Sequence, residues 1–501
     1  MTAHSVVQRA ARLGHGRGAP WVRRAWTALI ASLAVVGGRG LGKLLVGENI
    51  IPVTLFGWMF YLGTIVMNPL LGLLLWISTA PYARFFYLDL VSGQKGIPDG
   101  IPDLTLTRMC ALGLVALLTA QVATGQRRLV RFNLLDWAMI AFLVATLPSL
   151  PLHYRGMTKA VVLMTEGWVI PILIYFFAKN LVRTRAQRRL FVAVLVFIAL
   201  HLAVIALHES LTGDIWFYPG DRLATYSRSL HRLIGLLGSA STFGTTFAML
   251  FPFVAWAAFE VKNSALKLIL FVIMNAVALS IFFTYNRASY LGFAWALLVL
   301  LPLYPRARRY LLPIVLVGVV IVALQWNSLQ SSAVVAERIK AQGPVEYRAE
   351  VLHKVWPLIF KSPILGRGFD NFSYIYEREA LGHLELSPVY YFPHNTFIYV
   401  WFSSGLLALI PFVGIHLLVV WNCWQLYRHP RPDRGVEKGL AACMLAAWGA
   451  YLMQSLVTDT IFAYYVTMTF FFLAGGVLGA RSQRRLSDEE SRLITESALG
   501  W

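Results

Sequence analysis

The side chains able to do chemistry in this chain lie in a few polar islands of an otherwise apolar sequence. The stretch YYFPHN, residues 390–395, places two tyrosines, a proline, a histidine and an asparagine directly before a long apolar run. An imidazole titrates near neutral pH, and the positive end of a helix dipole lowers its pKa and keeps it neutral. His394 is therefore read as a general base, with a satisfied structural histidine as the plainer alternative. Pro393 has no amide donor and favours a helix start. His394 and Asn395 are thus expected in the first turn of a helix, where Asn395 either orients the imidazole or caps the helix.

Arginines form the second group. Arg228 and Arg232 lie in TYSRSLHRLIGLLGSASTFG, Arg287 in TYNRASYLGF, and Arg348, Arg367 and Arg378 between residues 327 and 393. Guanidinium is a planar fork of donors that stays charged when partly desolvated, so several of them around one cavity suit a phosphate-bearing substrate. Arg287 and Arg232 read alternatively as anchors that snorkel to the membrane interface. Arg367, in a Gly-Arg-Gly turn, reads alternatively as a loop fastener.

Other titratable residues give less. His383 and Glu385 flank a leucine with no third ligand at suitable spacing, and Glu377, Glu379 and Asp370 are too scattered for a calcium or magnesium cage, so no metal site is expected. Glu166 and Asp459 fall within or near apolar runs, where charge is expensive. Sugar binding, proton relay and pairing with arginine are all open to them. Cys110, Cys423 and Cys443 lie in or beside hydrophobic runs, which points to neither a disulfide framework nor a thiolate metal site. Walker, dinucleotide-glycine and iron–sulfur patterns are missing.

The elements that must position these residues are membrane helices. The 501 residues are 58% hydrophobic and 14% charged, against about 25% charged in a soluble protein. Approximate spans are 104–123, 133–151, 157–178, 187–208, 236–258, 264–283, 286–304, 309–326, 396–422, 437–457 and 461–480. Each is near the roughly 20 residues that cross about 30 Å of hydrocarbon. Basic connections at 126–131, 179–189, 304–310, 427–438 and 481–485 fall on one side, which the positive-inside rule makes cytoplasmic. The net charge of +20 is thereby read as topology, and nucleic acid is not an expected partner. The N-terminus carries five arginines before residue 26 and reads as a cytoplasmic tail rather than a cleaved signal. With that tail inside, the apolar material of residues 26–88 gives a total of about 12 helices, or 14.

The expected fold is thus an all-α polytopic membrane protein with a large outer loop. Its parts are a basic tail (1–25), a transmembrane bundle (26–326), a cap with helical segments (327–395), further transmembrane helices (396–480) and a second tail (481–501). In the cap, GPVEYRAEVLHKVWPLIF reads as an amphipathic helix with Val351, Val355, Leu358 and Ile359 on one face. Tyr390, Tyr391, Trp356, Phe372 and Tyr374 read as sugar-stacking surfaces or as ordinary aromatic-belt anchors.

In order, IPDLTLTRM (101–109), RLIGLLGSASTFG (232–244), TYNRASYLG (284–292), YRAEVLHKVWPLIFKSPILGRGFDNF (347–372) and PHNTFIYVWFSSGLLALIPF (393–412) resemble the bacterial O-antigen ligase and polymerase superfamily. The resemblance implies a GT-C-type glycosyltransferase of the inner membrane, with its active site on the periplasmic side. It implies transfer of a glycan from undecaprenyl diphosphate, without metal or other cofactor, to the lipid A-core acceptor and with inversion. The alternatives are O-antigen or exopolysaccharide polymerisation and protein-directed O-glycosylation. His394 matches the family's loop histidine, Arg232 and Arg287 its diphosphate-binding arginines, and Arg348 a recurrent charged position; Arg228 competes with Arg232. Asn395, Tyr390, Tyr391 and Arg367 would orient groups or bind sugar. Membrane lipids are the surrounding partners, and a single chain is expected to suffice. A transporter or flippase would instead gather its polar groups at broken helices near mid-membrane.

Overall fold

The computed structural model of the protein describes residues 50–82, 105–154, 156–214, 232–312, 316, 343–382, 391–430 and 435–479. Both tails, the 309–326 span beyond its first residues, the cap before residue 343, Arg228, His383, Glu385 and Tyr390 lie outside the described residues. The chain divides into two units, Met1–Gly57 and Trp58–Trp501, and the account below concerns the second.

Among the described residues every regular element is helical. In chain order they are α1 (Ile50–Met67), α2 (Pro69–Thr79), α3 (Leu106–Ala123), α4 (Leu134–Leu152), α5 (Met157–Leu181), α6 (Arg185–Thr212), α7 (Ala240–Glu260), α8 (Ser264–Phe283), α9 (Arg287–Leu303), α10 (Gly343–Phe360), α11 (Thr396–Arg428), α12 (Gly435–Ser455) and α13 (Tyr464–Gly479). Seven of them, α3 to α8 and α11, are long and apolar enough to cross a membrane. The chain is a multi-pass membrane protein.

Polar caps start these helices. Asn133 with Asp136, and Thr184 with Gln187, form reciprocal capping boxes for α4 and α6. Ser239, Asn263, Asn286 and Asn395 each accept an amide at the start of α7, α8, α9 and α11. In lipid a free helix amide has no water to turn to, so the cap decides where the span begins. Helix α7 is buried along its whole apolar window and packs against α6, α8, α9 and α12. Gly292 lets α9 approach α12 closely, since a Cβ there would sit 2.9 Å from Ala450 Cα.

At the end of the bundle carrying the basic connections, two buried ion pairs join helices. Asp136 takes Lys179 together with the Tyr175 hydroxyl (2.9 Å), and Arg188 meets Glu437 at 3.1 Å. At the opposite end, α10 buries Val351, Val355, Leu358 and Ile359 against Phe372, Ile375, Tyr376 and Phe402. Phe372 therefore belongs to the core of the cap and presents no surface to a sugar.

Helix α11 is two helices joined at Gly405, whose φ of 72° and ψ of −173° are not helical. Asn395 touches Leu456 through a 3.2 Å hydrogen bond, and Tyr427 lies under the Lys438 ammonium. Those contacts are 32 residues apart on α11 but only 18 on its neighbour α12. At 1.5 Å per residue the two paths would be about 48 and 27 Å, so the longer one must bend. Thr396–Ser404 consequently folds back at Gly405, far enough for the Phe397 ring to lie 5.3 Å from the rings of Phe412 and His416.

The cap seals this break. Arg367 N and Gly368 N donate to the carbonyls of Phe402 (2.7 Å) and Ser403 (3.1 Å), while Leu406 N and Leu407 N donate to those of Pro363 (2.9 Å) and Ile364 (3.3 Å). The cap is thus stitched into α11 by backbone hydrogen bonds. A helix break at this level would otherwise leave buried backbone groups unpaired.

Candidate active site

The site is built where the short arm of α11 meets the connection between α12 and α13. His394 precedes the helix instead of occupying its first turn, and takes the left-handed conformation (φ 51°). Asn395 is the cap: its side chain accepts Phe397 N at 3.0 Å and Ile398 N at 3.1 Å. A histidine in this backbone region is mildly strained and needs a neighbour to hold it.

Asp459 is that neighbour. Its Oδ2 accepts His394 N at 3.1 Å and its Oδ1 accepts Asn395 N at 3.0 Å. On either side of it, Thr396 Oγ1 donates to Thr458 O (2.8 Å) and Thr460 N donates to Thr396 Oγ1 (2.9 Å). The runs His394-Asn395-Thr396 and Thr458-Asp459-Thr460 are thereby zipped together. Burial lifts the Asp459 pKa to about 7, against the opposing pull of the two amides and of Arg348.

The imidazole lies edge-on to Tyr347 at 6.0 Å and near Phe392 at 6.1 Å. Burial, then the positive charge of Arg348, push its pKa down to about 4, so it is neutral at physiological pH. Arg348 is partly buried, and its own pKa is lowered first by desolvation and then by the charge of Arg287, with Asp459 opposing. Arg348 therefore sits within electrostatic reach of Arg287 on one side and of the His394–Asp459 pair on the other.

Arg287 is the first residue of α9, set there by Asn286, whose side chain accepts Ser289 N at 2.9 Å and Ser289 Oγ at 3.1 Å. The preceding Tyr285 has φ 46°, making the turn from α8 tight. Arg232 braces that turn: its Nε donates to Thr284 O (3.3 Å) and its Nη2 to Tyr285 O (3.0 Å). The strand of chain around Arg232 is held in turn by Glu209, at the end of α6, which accepts Ile234 N at 3.0 Å and Gly235 N at 2.9 Å.

Other candidates serve the scaffold. Arg367 pairs with Glu379 and reaches Leu358 O at 3.5 Å, which fastens the cap. Tyr391 anchors its amide on Ser373 Oγ (3.0 Å) and packs its ring on Tyr376, while Tyr374 stacks on Tyr154 at 4.7 Å. Trp356 is 39% exposed on the cap's edge, beside Trp401. Glu166, open between three roles in the sequence, pairs with Arg108 at 2.5 Å from a single π-helical turn, Thr165–Val169. The next residue, Gly167, packs on Ile461, so that turn abuts the Asp459 connection.

Sequence reasoning left Asp459 unranked and missed Glu209. The only written signal for Asp459 was a carboxylate between two threonines at a connection too short to solvate it.

Residues 270–413 match the O-antigen ligase family model. The stretch runs from α8 past the Gly405 break, so it includes Arg287, Arg348 and His394 and leaves out Arg232 and Asp459. An O-antigen ligase of Salmonella typhimurium is 25% identical over 171 residues, which cover 32% of this chain and 41% of that relative. By these two matches part of the chain, including residues 270–413, is similar to O-antigen ligases.

Proposed function

We propose that this O-antigen ligase-like membrane protein transfers an O-antigen glycan from undecaprenyl diphosphate to the lipid A-core oligosaccharide, with inversion at the anomeric carbon. The observation that carries this reading is the chain of groups Arg287–Arg348–His394. It sets Arg287 within electrostatic reach of Arg348, and Arg348 within reach of a neutral imidazole, in the segment that matches the family model.

A glycosyl diphosphate is a competent leaving group, but negative charge grows on it as the glycosidic bond breaks. Arg287 and Arg348 lie where they would meet that charge in a desolvated setting, where fixed donors act strongly. The acceptor hydroxyl oxygen attacks the anomeric carbon as the carbon–oxygen bond to phosphate breaks. The bonding pair departs on the diphosphate, and the hydroxyl proton moves to the His394 ring. One displacement inverts the anomeric configuration.

The low basicity of His394 fits this order of events. Burial, and after it the Arg348 charge, disfavour a proton on the ring. A diphosphate on Arg287 and Arg348 offsets that charge, which raises the affinity of the imidazole for a proton when the acceptor must give one up. Holding acceptor and donor together adds the advantage of an oriented, effectively intramolecular reaction.

The test is a transfer assay with purified protein and a defined undecaprenyl-diphosphate glycan. Lipid A-core and a second lipid-linked glycan are supplied in separate reactions. Product mass and anomeric configuration are read for each. A product on lipid A-core with inverted configuration is expected. Elongation of the lipid-linked glycan alone would make the protein a polymerase, and retention of configuration would overturn the single displacement. The gathering of basic connections at the opposite end of the bundle supports a catalytic centre on the periplasmic side of the inner membrane.

A further inference from the structure

The basic end of the bundle carries a second group of arginines that the transfer reaction does not use. The turn after α3 is fastened to the end of α5 through Asn180. Val130 N donates to Asn180 Oδ1 (2.8 Å), and Asn180 Nδ2 donates to Phe176 O (2.9 Å). The Asn180 carbonyl accepts both Arg127 Nη1 (3.3 Å) and Arg183 Nε (2.8 Å), which brings two guanidinium groups around one neutral oxygen. Their remaining bonds also go to neutral acceptors: Arg127 Nε to Gln121 Oε1 (2.9 Å) and Arg183 Nη2 to Arg128 O (2.6 Å).

Neighbouring carboxylates are already committed. Asp136 holds Lys179, Tyr175 and the amide of Asn133, and Glu437 holds Arg188. Among the described residues neither Arg127 nor Arg183 has an ion-pair partner. Burial lowers the pKa of both, and Arg127 lowers that of Arg183 further, as expected for two partly desolvated like charges. The pair is wired for an anion.

The rim shows which kind. Leu129, Phe132, Leu134 and Trp137 follow Arg127 in sequence and are 43%, 46%, 69% and 56% exposed. Phe132 packs its ring against Trp137 and Phe176, giving an aromatic patch of the sort found at the edge of the hydrocarbon. A free phosphate would gain nothing from such a rim, whereas a phosphate carrying acyl chains would bury it. We propose that Arg127 and Arg183 form a headgroup site for an anionic phospholipid, with Leu129, Phe132 and Trp137 against its acyl chains. This site is independent of the proposed transfer reaction and lies at the other end of the bundle.

The full-length protein, in mixed phosphatidylglycerol and phosphatidylcholine, is transferred to the gas phase and its retained lipids are weighed. Retention of phosphatidylglycerol over phosphatidylcholine is expected. The double substitution Arg127→Gln/Arg183→Gln should lower that selectivity about ten-fold or more, in line with two cations near an anionic surface. Arg309→Gln removes an exposed charge outside the cluster and should leave it unchanged. Equal selectivity in the double variant overturns the site. Inorganic phosphate added in excess should not displace phosphatidylglycerol; if it does, the ligand is a free anion and the lipid assignment fails. Should the double variant not fold, photoactivatable phosphatidylglycerol on the unaltered protein decides the matter. Adducts are expected within residues 127–137 and 176–190, and labelling confined elsewhere refutes the proposal.

Discussion

His394 is held through its backbone by Asp459, at 3.1 Å, and the same carboxylate holds the next amide, that of Asn395, at 3.0 Å. One buried acid thus fixes the left-handed turn that carries the imidazole, whose ring lies beside Tyr347 and Phe392. The carboxylate takes the backbone amides rather than the ring itself.

Replacing the imidazole removes the proton acceptor and little else. His394→Ala should reduce glycan transfer by about 10²–10⁴-fold, the usual contribution of a positioned base. Its thermal unfolding midpoint should stay near that of the parent, because Asp459 grips the backbone and not the ring. Full transfer activity in the folded variant would end the assignment of His394 as base.

The pH profile should report Asp459. With a pKa lifted to about 7, this group is ionised above that pH, and both of its oxygens then accept amides. Below it a proton occupies one oxygen and loosens the His394 turn. Activity should therefore rise through a midpoint of about 7, while His394, at about 4, contributes its own limb only in more acidic solution. Asp459→Asn should lower the rate and flatten the limb near 7. Persistence of that limb in the variant would show that another group titrates.

Arg287→Gln and Arg348→Gln should each slow transfer by about 10²–10³-fold, as for other donors to developing charge. Because each guanidinium feels the other, the double variant should lose less than the product of the two effects. Arg232→Gln, which unbraces the Thr284–Tyr285 turn, should reduce thermal stability as well as rate. Rates and unfolding midpoints measured side by side separate the two classes.

Gly405→Ala should be poorly tolerated. A Cβ there would lie 2.0 Å from Ile364 O, and the positive φ is costly for any L side chain. A loss of about 1–3 kcal/mol, or failure to fold, is expected from the conformation alone. An unchanged unfolding midpoint would mean that the break can relax.

At the other end, Glu437→Gln strands the buried Arg188 charge and should cost about 3–5 kcal/mol. Substituting both partners with apolar residues of similar size should cost less. Thermal or denaturant unfolding of the two variants provides the comparison.

The helices were legible because lipid imposes a length and an apolar composition on each, and the expected spans fall within a few residues of α3 to α9. The grouping of Arg287, Arg348 and His394 was readable only as charges in unexpected places. What the sequence concealed were relations between distant residues. Asp459 reaches His394 across 65 positions, and Glu209 reaches Ile234 across 25, through carboxylate bonds that leave no periodic trace. Gly405 looked like any small residue in an apolar run, because the carbonyls that make it a break come from the cap. Arg367 and Phe372 shared the composition of a binding surface, yet Phe372 is buried in the core of the cap and Arg367 is paired with Glu379.

The four amide–carbonyl links across the Gly405 break make roof and floor a single mechanical part. Deleting residues 343–392 would strip the Gly405 turn of its backbone partners and leave the short arm bearing His394 fastened at its other end, to Thr458, Asp459 and Thr460. The cap is therefore part of the fold that holds the candidate site, and a version without it would lose the support of that turn.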